Sequence, residues 1–141
     1  MRRVFQNNAE VCHKWASQSQ EVGRAGNISF DGRVIYSYGH WPMASFDADD
    51  PGVVLFRDGS YSSSTGQHQS LVSQAISHCK VFTVVSGCNG GRIDHAVNIQ
   101  NYSDNMRIAA DKFWNSSGYH GQYSAESYGR IVTEARQYAV H

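Results

Sequence analysis

The chain has 141 residues, which favours one domain with a sizeable buried core, and we predict a single domain over residues 1–141. Its 12 Lys and Arg residues balance its 12 Asp and Glu residues, so the net charge gives no indication of a nucleic acid or a membrane as partner. We expect no leader peptide or membrane span. The three cysteines, Cys12, Cys79 and Cys88, are odd in number and lack the spacing of a disulfide framework, so a reducing, cytoplasmic location is predicted.

The first predicted elements are a short helix and a β-hairpin. Asn7 and Asn8 can cap the helix, and the segment 21–27 is predicted as a loop. Two runs of alternating apolar and polar residues then flank Asp31-Gly32. This dipeptide is typical of tight hairpin turns, because such turns need a positive φ.

The returning strand of this hairpin carries unusual side chains. Neighbours along a strand alternate between its faces, so Tyr36 and Tyr38 are predicted to share one face while Ser37 points to the other. His40 and Trp41 follow at a glycine bend. Tyrosine, histidine and tryptophan would together form a polar surface with aromatic walls.

A second hairpin is predicted after Pro42, which should kink the chain, and after an acidic turn at 47–52. Its strands would be 53–56 and 60–64, joined at Asp58-Gly59. Thr65 is predicted as the N-cap of the helix that comes next.

The second half of the chain is predicted to be mainly helical. The predicted elements are a buried strand at 80–86, a glycine-rich break at 87–91, a helix at 93–114, a loop at 117–123 and a helix at 125–140. The order of elements predicts an α+β fold, with a mostly antiparallel sheet of about five strands, two Asp-Gly hairpins and helices packed on one face.

Candidate binding residues cluster on the first hairpin, the acidic turn and the second hairpin. They are Tyr36, Tyr38, His40, Trp41, Asp47, Asp49, Asp50 and Tyr61. Aromatic residues dominate the strongest contacts of protein interfaces, and the aspartates can mimic nucleic-acid charge against a basic groove. The ordinary interpretation is that the tyrosines are half-buried sheet residues and that the aspartates form a solvated turn.

An alternative interpretation is catalytic. His40, His68 and Tyr38, with a neighbouring serine, would supply donors, acceptors and a group that titrates near neutrality. No carboxylate or nucleophile is tied to His40 by the sequence, so the leading interpretation has no catalytic residue.

A weaker anion-binding hypothesis concerns the glycine-rich break. Gly87, Asn89, Gly90 and Gly91 lie between a predicted strand and a predicted helix, where backbone N–H groups can bind an anion. Cys88 in this loop would be nucleophilic if its pKa were lowered. The ordinary interpretation is a loop that reverses the chain.

We predict no metal and no cofactor. His78, Cys79, Cys88 and His95 are residue types that bind zinc, but their spacing fits no standard pairing. The acidic turn begins like a calcium loop, yet Pro51 stands where a ligand is needed.

Several segments resemble a small domain of unknown function that occurs in hypothetical proteins of tailed phages, plasmids and some prokaryotic genomes. The matching segments within residues 12–76 are HKWA (13–16) through Gln18, GNISFDG (26–32), IYSYGH (35–40) with Pro42-Met43-Ala44, and the run 61–68 followed by Ser70-Leu71-Val72. The resemblance implies an origin on a mobile element and a prokaryotic cytoplasm, and it transfers no catalytic residue.

Three functions remain as hypotheses. The first is a non-enzymatic phage accessory protein that binds a host protein or nucleoprotein complex, for example a counter-defence inhibitor of a CRISPR effector. The second is a small hydrolase or nuclease that uses His40 and His68. The third is a single-stranded nucleic-acid-binding protein that stacks bases on aromatic rings.

Overall fold

The computed structural model describes residues 3–59, 62–114 and 119–141, with side chains for all of these except 113, 114 and 119–127. The chain divides into two compact units, Met1–Ile93 and Asp94–His141, which are described separately. The single domain over 1–141 stays a prediction. The described elements are α1 (Asn8–Ser17), β1 (Val22–Ala25), β2 (Ile28–Asp31), β3 (Val34–Ser37), β4 (Trp41–Phe46), β5 (Val53–Arg57), α2 (Ser63–Ala75), β6 (Lys80–Val84), α3 (His95–Trp114) and α4 (Tyr119–Val140).

The first unit is built on a six-stranded sheet in the order β1-β2-β3-β4-β5-β6. Strands β1 to β5 form an antiparallel meander, and β6 pairs with β5 in parallel after the crossover helix α2. The α+β class with a mostly antiparallel sheet is therefore confirmed. Two of the six strands were not predicted: β1, which lies in the segment predicted as a loop and pairs with β2 although it contains Gly23, and β4, which follows the first hairpin.

The first Asp-Gly hairpin is confirmed. Asp31 pairs with Val34, which leaves Gly32 and Arg33 as the two-residue loop. Gly32 has a φ of +58°, a value that residues with a Cβ rarely adopt, while Arg33 does not have a positive φ. A single positive φ at the first central residue is the pattern of a type II′ turn.

The prediction of a second Asp-Gly hairpin is wrong. Residues 60 and 61 lie outside the described residues, but Ser62 caps α2 and the helix begins at Ser63, where a returning strand was predicted. The Ser62 hydroxyl accepts a hydrogen bond from the backbone N–H of Thr65 at 3.2 Å, so the N-cap is Ser62 and not Thr65. A run of serines favours a capped helix over a strand, because serine hydroxyls satisfy the first free N–H groups.

A β-bulge lies in β4, where Pro42 was expected to kink the chain. Ile35 pairs with Ala44 but Tyr36 pairs with Pro42, so Met43 is an extra residue. The pairing of β4 with β5 begins only at Ala44, so Pro42 interrupts no bond on that side.

The core of the first unit lies between the sheet and helices α1 and α2. Asn7 caps α1 as predicted, by accepting a hydrogen bond from the N–H of Glu10 at 2.8 Å. Trp15 of α1 is fully buried, packs on Phe46 with ring centroids 4.9 Å apart, and donates its indole N–H to the Arg33 carbonyl at 3.0 Å. Burying a tryptophan with its N–H satisfied fixes α1 on the sheet.

The second unit is a pair of helices. α3 begins at His95, close to its predicted start, whereas α4 begins at Tyr119, so residues 119–123 are helical and were wrongly predicted as loop. Between the helices, the Tyr102 hydroxyl donates to Glu134 at 2.5 Å and the Asn98 amide donates to the Tyr138 hydroxyl at 2.8 Å. These polar contacts lie among few buried apolar side chains.

Candidate functional site

Two described non-glycine residues of the first unit have a positive φ: Gln18, at the end of α1, and Tyr38, at the end of β3. Tyr38 has a φ of +54°, in the left-handed region that favours glycine, and its ring is 47% exposed. Strand β3 ends at Ser37, so the alternation of faces stops there. Tyr36 and Tyr38 do not share a face: Ser37 and Tyr38 both contact His68, and Tyr36 is half-buried on the opposite side.

His68 of α2 supports the Tyr38 ring from below. Its Nδ1 lies 2.7 Å from the Ser37 hydroxyl, and its ring lies 5.3 Å from the Tyr38 ring, centroid to centroid. Ser37 is fully buried and His68 is 6% exposed. Burial lowers the pKa of His68 below its ordinary value of 6.5, so the imidazole is neutral at neutral pH.

The structure brings His68, Ser37 and Tyr38 together, but it places His40 differently. His40 is exposed, and its Nδ1 donates to the Tyr38 carbonyl at 2.9 Å. A serine nucleophile must meet its substrate, and the buried Ser37 hydroxyl cannot. The Ser37–His68 bond therefore positions the imidazole ring.

Trp41 of β4 and Arg57 of β5 form a second group of candidate binding residues. The Arg57 guanidinium lies over the Trp41 ring at 4.6 Å from its centroid and donates through Nη1 to the Pro42 carbonyl at 3.3 Å. Sequence reasoning missed Arg57, because its contact with Trp41 depends on the register of β4 against β5. We call Tyr38, His40, Trp41 and Arg57 the aromatic surface.

The predicted acidic residues lie at the far end of β4. Asp47 is buried and accepts a hydrogen bond from the N–H of Asp49 at 3.0 Å, while Asp49 and Asp50 are exposed. A strand of six residues spans roughly 20 Å, so the acidic turn and the aromatic surface are separate. Tyr61 lies outside the described residues.

The glycine-rich break satisfies its own backbone. The N–H of Gly91 donates to the Asn89 side chain at 2.9 Å, and the N–H of Gly90 donates to the Gly87 carbonyl at 3.2 Å. A Cβ on Gly87 would meet Ile93 at 2.6 Å, so this glycine is needed for close packing. Two of the N–H groups proposed for an anion are thus used within the loop.

Cys88 does not have the environment of a nucleophile. It is buried, and burial raises the pKa of its thiol even though the Arg57 charge opposes the shift. Burial also raises the pKa of Cys79, and it raises that of Cys12 to about 12. The condition for a nucleophilic Cys88, a lowered thiol pKa, is therefore not met.

Metal-binding clusters and membrane-spanning helices are both absent from the residues that the structure describes. No group of three or more His, Cys, Asp or Glu side chains there is placed to hold a metal ion. None of the helices, over the same residues, is long and apolar enough to cross a membrane.

Comparison with known proteins adds no relative. No family model, no curated protein and no solved structure matches the chain. The resemblance to the phage and plasmid domain stays a prediction.

Proposed function

We propose that this protein is a non-enzymatic accessory protein that binds a host macromolecule through the aromatic surface. The observation that carries the proposal is Tyr38, an exposed aromatic ring whose left-handed backbone and buried His68 support hold it in one orientation. Sparsely populated backbone conformations persist where the surrounding structure fixes them, and they are concentrated at functional sites.

The energetics favour binding over mere packing. A tyrosine has few rotatable bonds, and a ring already held by its neighbours loses little conformational entropy when a partner covers it. Trp41 is fixed in the same way, because Arg57 stacks on it and it packs against the core. Two preorganised aromatic side chains are the usual centre of an interface hot spot.

A catalytic role has less support. The hydroxyl beside His68 belongs to the buried Ser37, and the exposed His40 is bonded to a backbone carbonyl. General acid–base chemistry needs a titrating group within reach of a substrate and of a reacting partner. The described residues offer His68 a positioning serine but no accessible nucleophile.

The biological setting of the proposal comes from the resemblance in residues 12–76. We place the protein in the cytoplasm of a prokaryotic host, encoded by a phage or related element, with a host protein or nucleoprotein complex as its partner. Counter-defence is the most concrete version. The exposed Asp49 and Asp50 would form a second contact with a basic partner groove.

Single-stranded nucleic acid is a second candidate partner, favoured by the Arg57 guanidinium over Trp41 and by the exposed ring of Tyr38. Bases stack on aromatic rings whatever their sequence. Tyr36 would not contribute, because it lies on the opposite side of the sheet. Affinity for a single strand that falls steeply with salt supports this candidate, and absence of binding at low salt ends it.

The test is affinity capture from host lysate with four proteins compared side by side. The wild type, Tyr38→Ala/Trp41→Ala, Asp49→Ala/Asp50→Ala and the control Tyr36→Ala would be immobilised at equal density. We expect the aromatic double variant to lose a partner that the wild type and Tyr36→Ala retain. Equal recovery of every partner by all four proteins contradicts the proposal.

A further inference from the structure

Arg57 carries a positive charge that the described part of the chain does not neutralise. The side chain is partly buried, and it makes one hydrogen bond, to the Pro42 carbonyl, and one ring contact, with Trp41. The described carboxylates form no ion pair with it. The guanidinium thus has no negatively charged partner among the described residues, and a ligand can supply one.

Two nitrogens of the Arg57 guanidinium, Nε and Nη2, are not fully buried. Among described residues that are not exposed, the one fully buried side-chain polar atom without a partner is Asn8 Oδ1. These two nitrogens are adjacent and parallel on the planar guanidinium. That geometry matches the two oxygens of a carboxylate.

The backbone that carries the guanidinium is also held in place before any ligand arrives. The Arg57 backbone pairs with Val84 of β6, and its carbonyl accepts a hydrogen bond from the buried Gln69 amide at 3.2 Å. The same amide bonds the Gly59 carbonyl at 2.8 Å and so fixes the end of β5. A preorganised arginine loses less conformational entropy on binding than a mobile surface arginine.

Charge and shape favour a protein carboxylate over a nucleic-acid phosphate. A nucleic acid follows a track of several basic residues, whereas the aromatic surface contains a single arginine and the chain is neutral overall. One guanidinium stacked on an aromatic ring fits one acidic side chain with an apolar neighbour.

We infer that Arg57, stacked on Trp41, binds the carboxylate of an aspartate or glutamate in an acidic segment of the partner protein, next to an apolar residue that covers Tyr38. This inference rests on the proposed function, since it specifies the chemistry that the aromatic surface recognises. It adds a specificity-determining residue, Arg57, to that surface.

The experiment selects random short peptides from a ribosome-displayed library on the folded wild-type protein, with parallel selections on Arg57→Gln and Tyr38→Ala. An acidic residue beside an apolar one is expected to be enriched on the wild type and not on Arg57→Gln. In the selected peptide, replacing Glu by Gln or Asp by Asn should weaken binding to the wild type about tenfold or more. The same replacement should leave binding to Arg57→Gln unchanged.

Two further measurements separate a binding role of Arg57 from a structural one. Arg57→Lys keeps the charge without the planar guanidinium, and we expect it to recover only part of the affinity for the acidic peptide. The Arg57 Nε–H resonance should shift on addition of the acidic peptide and stay unshifted with its amide counterpart.

Each other outcome has a definite meaning. Peptides that depend on Tyr38 but contain no acidic residue, or whose amide replacement has the same effect on both proteins, overturn the inference and leave the proposed function intact. Arg57-dependent binding of oligo-dT without any acidic peptide assigns the guanidinium to phosphate and also overturns it. Wild-type selections that enrich no peptide, or only peptides indifferent to Tyr38→Ala, contradict the inference and the proposed function together.

Discussion

The two ends of β4 carry two surfaces that are stabilised in different ways. At the start of the strand, Tyr38 and Trp41 are supported by residues distant in sequence, His68 and Arg57. At its end, the acidic turn is held by its own atoms. Asp47 accepts from the N–H of Asp49, and the Asp50 side chain accepts from the N–H of Gly52 at 3.2 Å.

This difference distinguishes a surface that is supported by distant parts of the chain from a turn that is held by its own hydrogen bonds. The rings of Tyr38 and Trp41 are held by a helix and by a neighbouring strand. The local segment does not require this support in order to fold. The carboxylates of the acidic turn are partly occupied by backbone N–H groups, as is usual for aspartate in turns. Substitutions at the two ends should therefore affect different properties: binding at the aromatic surface, and stability at Asp47.

The largest expected effect is on the support of the aromatic surface. His68→Ala should lower the free energy of unfolding by about 2–4 kcal/mol, because it removes the partner of the buried Ser37 hydroxyl and leaves a cavity under Tyr38. Urea denaturation measures it. The control His40→Ala alters an exposed histidine, and a change within about 0.5 kcal/mol is expected. Equal losses for the two variants would refute the supporting role of His68.

At the other end of the strand, Asp47→Ala should lower the free energy of unfolding by about 1–3 kcal/mol, because the buried carboxylate binds the turn backbone. Asp49→Ala is the matched control, with an exposed side chain and an expected change within about 0.5 kcal/mol. Partner capture by folded Asp47→Ala should equal that of the wild type. Reduced capture would show that the two ends of β4 act as one surface.

A smaller change in the free energy of unfolding is expected when the pH is lowered. The pKa of His68 is lower in the folded state than its ordinary value of 6.5, so the unfolded chain takes up this proton at a higher pH than the folded chain. The stability contribution is complete above that ordinary value and is lost as the pH falls below it. Thermal unfolding from about pH 7.5 to about pH 5.5 should show a steeper decline for the wild type than for His68→Gln. Parallel declines of the two proteins would contradict this assignment.

The smallest effect on stability is expected at Tyr38 itself. Asparagine tolerates the left-handed backbone, which costs other residues about 1–2 kcal/mol, so Tyr38→Asn should change the free energy of unfolding by less than about 1 kcal/mol. Partner affinity should nevertheless fall about tenfold or more, because the anchoring ring is lost. A folded Tyr38→Asn protein that keeps its affinity would remove Tyr38 from the interface.

Local signals in the sequence predicted the fold well where the structure is local. The Asn7 cap and the Gly32 turn depend on neighbours within a few residues, and both are confirmed. Asp58-Gly59 carries the same turn signal, but Ser62 caps a helix immediately afterwards, so the dipeptide joins a strand to a helix. A turn dipeptide indicates where the chain reverses and does not determine whether a strand or a helix comes next.

The candidate site was only half predictable for the same reason. Tyr38, His40 and Trp41 were identified because they are adjacent in sequence, and His68 was identified by residue type. Their arrangement was not, because the contacts of Ser37 and Tyr38 with His68 depend on α2 packing against β3. Arg57 had no sequence signal, since its contact with Trp41 exists only in the folded sheet.

The extra residue in β4 has a consequence for how this protein can vary in length. Without the bulge at Met43, Trp41 and Ala44 would lie on opposite sides of the sheet, whereas with it both contact the core side. Loss of Met43 would remove the bulge and leave Trp41 and Ala44 two residues apart, so the indole would stay on the core side beside the arginine stacked on it. Related chains can therefore keep this surface with a bulged strand of this length or with a regular strand one residue shorter, whereas a regular strand of this length would lose it.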